Sequence, residues 1–134
     1  MTNLDLSVLR ESNVTRMHRW HGEDDDWTLA DWSNAMCGEA GEAANVVKKI
    51  RRTETPGLWE AQRYPGHAPQ HAALVSADSA TAREALTVKL ADELADVICY
   101  ADLLAHKAGI DLAAAVIAKF NRVSKAQDFP ERIG

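Results

Sequence analysis

Apolar side chains recur three and four residues apart along two long stretches of the chain, and each stretch carries a glutamate where a buried side chain belongs. The first seam reads Leu29, Trp32, Met36, Glu39, Ala43, Val46, Ile50, and the second reads Leu86, Leu90, Glu93, Val97, Tyr100, Leu104. That spacing marks one face of an α-helix and excludes strands, whose apolar residues alternate. The rest of the chain is rich in Ala and Leu and lacks the β-branched and aromatic alternation that strands need. The expected fold is therefore all-α and four-helix-bundle-like. It forms a single domain over residues 1–134, with one long irregular insert at about residues 53–79.

Four helices follow from the pattern. The first runs from about Leu6 to Trp20 on a loose stripe of Leu6, Leu9, Val14 and Met17, and the acidic turn Gly22 to Asp26 ends it. Thr28 with Asp31 three residues on forms a capping-box signal for a second helix from Leu29 to about Arg51. From Thr53 to Ala77 the periodicity fails, and Pro56, Gly57, Pro65, Gly66 and Pro69 break any helix. A stretch of this kind in a small domain reads as a lid, a binding loop or a disordered insert. His67 and His71 lie in it, but Pro69 between them denies the helical spacing a chelate needs, so a solvated loop is the expectation. A third helix is predicted from near Thr81, boxed by Glu84, to about Lys107, stopped by Gly109 at the C′ position. Asp111 caps a fourth, Leu112 to about Lys125, with an apolar face of Leu112, Ala115, Val116, the Lys119 stem and Phe120. The tail from Asp128 to Gly134 carries no pattern.

Composition narrows the function classes. Fifteen basic against twenty acidic residues give a net charge of −5. Nucleic-acid affinity comes mostly from Lys and Arg neutralising phosphates, so no nucleic-acid partner is expected, nor docking on an anionic membrane. No apolar run approaches the roughly 18 residues of a membrane span, and no basic start followed by an apolar stretch marks a secretory leader. Two cysteines, Cys37 and Cys99, make neither a disulfide framework nor a four-thiolate zinc site, and read as small buried hydrophobes. The expected compartment is the cytoplasm.

The chemistry lies in the two glutamates that break the seams. Glu39-Ala40-Gly41-Glu42 and Glu93-Leu94-Ala95-Asp96 each set two carboxylates three residues apart on one helix face, with Cβ atoms about 5–6 Å apart. Facing seams would bring all four acids together, where mutual repulsion and desolvation demand a cation. Oxygen ligands without His or Cys favour Mg²⁺ or Mn²⁺ over zinc. A di-iron bundle needs Glu-x-x-His, and no His stands three after a Glu. One Glu-x-x-Glu on a helix is ordinary surface; two with the same fault leave a metal site and a pair of solvated acidic faces equally open.

The segments Cys37-Gly38-Glu39-Ala40-Gly41-Glu42-Ala43-Ala44-Asn45-Val46-Val47-Lys48-Lys49 and Leu90-Ala91-Asp92-Glu93-Leu94-Ala95-Asp96-Val97 resemble the paired acidic motifs of the MazG-like, all-α nucleoside triphosphate pyrophosphohydrolases. The likeness extends over Trp27–Arg52 and Leu90–Ser124, about half the chain. Gly109-Ile110-Asp111-Leu112 with Lys119-Phe120-Asn121-Arg122 is similar to the family's last helix. The spacer between Glu42 and Glu93 is longer than the family usually has.

The resemblance implies Mg²⁺-dependent cleavage of a nucleoside triphosphate between its α- and β-phosphates, giving monophosphate and pyrophosphate, as in nucleotide-pool house-cleaning. Mn²⁺ would be a substitute metal. By similarity Glu39, Glu42, Glu93 and Asp96 are the metal ligands and catalytic residues, with Glu39 doubling as the base. Lys48, Lys49 and Arg52 would hold phosphates, although a basic helix end is also what the helix dipole favours. Tyr100, one turn after Asp96, would donate its hydroxyl, and Lys119 and Asn121 fit a Lys-x-Asn pattern near the nucleotide. For Asn121 an ordinary exposed polar residue is the plain alternative. Trp20 and His21 are the candidates for stacking the base, while Trp32 lies on a seam and reads equally as core. The phosphoribosyl-ATP pyrophosphohydrolase of histidine synthesis shares the fold and stays open, as does a non-catalytic helical module that binds nucleotides or proteins. Apolar seams this long in a small chain also predict a homodimer or homotetramer.

Overall fold

In a computed structural model of the chain, residues 4–55 and 72–134 are described, with side chains for 4–55 and 79–134. They form four helices: α1 (Leu6–His21), α2 (Leu29–Glu54), α3 (Ala72–Lys107) and α4 (Leu112–Ala126). Among the described residues there is no strand. His67, His71 and the Pro- and Gly-rich stretch between residues 56 and 71 lie outside them.

The helix ends follow local chemistry. Asp5 caps α1 by accepting from the Ser7 N–H at 2.7 Å. The Thr28–Asp31 box forms in both directions, Thr28 N–H donating to Asp31 at 2.8 Å and Asp31 N–H to the Thr28 hydroxyl at 3.3 Å. Asp111 accepts from Ala114 N–H at 3.0 Å and starts α4. α3 closes in a Schellman motif: Ile110 N–H donates to Ala105 C=O at 2.8 Å and Gly109 N–H to His106 C=O at 3.0 Å, with Gly109 at φ 69°. α4 closes the same way, but Asp128 holds the left-handed position at φ 53°, with Phe129 N–H on Ser124 C=O at 2.9 Å.

Two boundaries differ from the sequence reading. α2 runs on to Glu54, because no breaker intervenes before Pro56. α3 begins at Ala72 and not near Thr81, so residues 72–79 of the expected insert are helical. Those residues contain neither Pro nor Gly, and extending an existing helix costs far less than nucleating one at an internal capping signal.

The chain forms two compact units, Met1–Met36 with Ile98–Gly134, and Cys37–Val97. In the first, Met17, Trp32 and Leu103 make the buried core, with Val14, Trp27, Tyr100 and Leu104 packed against it. A polar network is buried beside them. Asp102, only 1% exposed, accepts from Arg10 Nε at 2.7 Å and from Asn13 Nδ2 at 3.2 Å. α4 lies against α1, yet its expected apolar face is largely open, with Val116 45% and Phe120 41% exposed. The patternless tail folds back on α4, where Asn121 bonds both the C=O and the N–H of Ile133 at 2.9 and 3.0 Å.

In the second unit Ala43 and Val46 of α2 are buried, with Ile50, Leu86, Leu90 and Val97 half-buried around them. Arg83 of α3 meets Glu54 of α2 at 3.1 Å, while Glu93, further along α3, meets Glu39 and Glu42, earlier on α2. As α2 advances α3 recedes, so the pair is antiparallel, and the two seams face each other.

Candidate metal centre

The facing seams bring Glu39, Glu42 and Glu93 together, with one carboxylate oxygen from each within 4.8 Å of the others. Glu39 and Glu42 stand three apart on α2 and so share its face. Glu93 comes across from α3 and is buried, Glu39 is half-buried, and Glu42 is exposed. Asp96 is exposed and not part of this triangle. Its charge nonetheless reaches Glu39. Burial first, then the charges of Asp96, Glu42 and Glu93, push the Glu39 carboxyl above its ordinary value of 4.5. Gly38 and Gly41 are exposed, and a Cβ added at either would meet nothing within 4 Å, so that side of α2 is open beside the acids.

Lys89, which lies off the apolar seam, also belongs to the centre. Lys89 sends its ammonium to Glu93 Oε1 at 3.2 Å, with the lysine side chain 55% and the glutamate 8% exposed. Its spacing of four from a seam acid was the available signal. Lys48 and Lys49 are exposed on α2 in the same unit, and Arg52 is half-buried.

The donor set fits a hard divalent cation. Three carboxylates, with no imidazole or thiolate among them, suit the oxygen preference of Mg²⁺ or Mn²⁺. The Glu39 carboxyl is raised first by burial and then by the charges of Asp96, Glu42 and Glu93, and a cation would offset those charges.

The remaining candidates lie in the first unit. Trp20 is 68% exposed, carries the Arg16 guanidinium 5.1 Å over its ring, and lines a small cavity with His21, Trp32 and Tyr100. His21 stands edge-on to Trp27 at 4.6 Å and tilted over Trp32 at 5.4 Å, and Trp32 is 6.1 Å from Tyr100. Trp32 is 1% exposed and belongs to the core. A cavity of about 10 Å³ among these rings holds at most a water. Lys119 is exposed, and the Asn121 amide is committed to the tail. A cleft of about 450 Å³ opens where α1 and α4 begin, with Arg10 and Asp102 in its lining and none of the clustered acids.

Asp25 organises the aromatic group and escapes the sequence reading. It accepts from Trp27 N–H at 3.2 Å and Trp32 Nε1 at 3.3 Å, lies 3.3 Å from His21 Nδ1, and meets Lys107 Nζ at 3.5 Å. Burial raises its carboxyl, but the Trp27 and Trp32 donors and the Lys107 charge outweigh that and leave it below its ordinary value. The acidic turn holding it reads only as the end of the first helix, and its four partners are set by folding.

No protein-family model, no curated protein and no solved structure matches the chain.

Proposed function

We propose that the chain is a divalent-cation-dependent nucleoside triphosphate pyrophosphohydrolase of the MazG-like type, working as a homo-oligomer. The observation that carries this is the convergence of Glu39, Glu42 and Glu93 from two antiparallel helices. Four carboxylates set on or beside two apolar seams cost stability unless they do something, and holding a cation is what such a set does best. The open face of α4, with Val116, Phe120 and Val123 exposed, supports the oligomer.

Glu39, Glu42 and Glu93 would hold Mg²⁺ or Mn²⁺, with Asp96 adding charge beside them. When bound, the ion lowers the pKa of a water and neutralises charge building on phosphate oxygens. The chain supplies the rest. Glu39, whose carboxyl burial and then its acidic neighbours hold above the ordinary value in the metal-free chain, would take a proton from the attacking water. The water oxygen bonds to the α-phosphorus as the bond from that phosphorus to the bridging oxygen breaks, and pyrophosphate leaves. Lys48 and Lys49, exposed along α2, are the cations available to the departing phosphates.

The test is incubation with each nucleoside and deoxynucleoside triphosphate, with Mg²⁺ or with chelator, and chromatographic separation of products beside Glu42→Gln. Metal-dependent monophosphate and pyrophosphate, absent in Glu42→Gln, is the expected result. Diphosphate with phosphate places the cleavage elsewhere, and no turnover of any triphosphate overturns the reading.

A further inference from the structure

We propose that Lys89 is the resident counter-cation of the acid cluster, and that its ammonium releases Glu93 when a divalent cation binds there. This rests on the metal site proposed above and adds its competitor. Glu93 is buried beside two other carboxylates, and a buried charge left uncompensated is strongly unfavourable. Lys89 supplies the compensation, 3.2 Å from Oε1.

Lys89 and Glu93 stand four apart on α3, so the helix puts the ammonium within reach of the buried acid. Asp92, three residues on and exposed, is an equally reachable partner. In an intrahelical pair the favourable order is Glu before Lys, and here Lys comes first. The charges of Glu39 and Glu42 beside Glu93 add to that spacing and favour the buried acid over Asp92. The lysine side chain is 55% exposed on a flexible stem, so it can leave without disturbing packing. An ammonium and a divalent ion repel each other at one carboxylate, which couples release of the first to binding of the second.

Calorimetric titration with Mn²⁺ at low ionic strength tests this on the wild type, Lys89→Met and Lys89→Arg. Lys89→Met keeps the stem and removes the competing charge, so it should bind Mn²⁺ about three- to tenfold tighter. Lys89→Arg keeps the charge and should match the wild type. In chelator Lys89→Met should melt below the wild type, then gain more from saturating Mn²⁺. Unchanged or weaker Mn²⁺ binding by Lys89→Met overturns the role of Lys89 and leaves the metal site standing. Absence of Mn²⁺ heat in all three proteins, with melting indifferent to the ion, overturns the site itself.

Discussion

Replacing Glu39 with Gln should stabilise the metal-free protein at pH 7. Its carboxylate lies within 4.8 Å of those of Glu42 and Glu93. Burial, then Asp96, Glu42 and Glu93, hold its carboxyl above the ordinary 4.5. A carboxyl whose pKa is raised by folding binds protons more tightly in the folded state, so stability falls as pH climbs through that value. Two unit charges 4.8 Å apart repel by about 0.9 kcal/mol in bulk water and about 3.5 kcal/mol at an effective dielectric of 20. Glu42 is exposed and Lys89 offsets Glu93, which puts the gain near the lower figure, about 1 kcal/mol. In a chain of this length that is about 3–5 °C in the melting midpoint. Circular dichroism melts in chelator at pH 7 and pH 4 measure it. Glu39→Gln should melt higher at pH 7, and the gap should close at pH 4, below the raised value of Glu39, where its carboxyl takes up a proton. Saturating Mg²⁺ should reverse the order, raising the wild type alone. A variant in chelator that melts at or below the wild type at pH 7 refutes the repulsion.

Four further outcomes are expected. Asp102→Ala removes the buried acceptor of Arg10 and Asn13 while Arg10 stays 26% exposed beside Ile110 C=O, and should cost about 1.5–3 kcal/mol, read as a fall in denaturation midpoint with an unchanged slope. Because Asp25 is held below its ordinary 3.8, its stabilisation is complete above that value and is lost as pH falls through the lower one; Asp25→Asn should flatten this acid limb of the melting profile. Asp128→Gly removes an L-residue from left-handed backbone and should add about 0.5–1 kcal/mol. Gly109→Ala, at the matching position of α3 with nothing within 4 Å of the new Cβ, should lose about 1 kcal/mol for backbone reasons alone, both being read from thermal melts.

Local signals along the chain were enough to read the four helices and the acids, though not where α3 begins. Periods of three and four, the Thr28–Asp31 box, the Asp111 cap and Gly109 are signals carried by neighbours in the chain. Helix start and stop depend on just such local hydrogen bonds and backbone freedom. Glu39 and Glu93 were legible because an acid on an apolar seam is a local fault. Asn13 shows the same fault, four residues from both Leu9 and Met17, but its meaning lies in Asp102, 89 positions away. That pairing, the burial of the Asp25 side chain beside Trp27 and Trp32, the commitment of Asn121 to the tail and the exposure of Trp20 are settled by tertiary packing. A helical pattern states which face each side chain shares. Which other face it meets depends on pairwise packing and on the summed field of distant charges, and these exist only once the chain has folded.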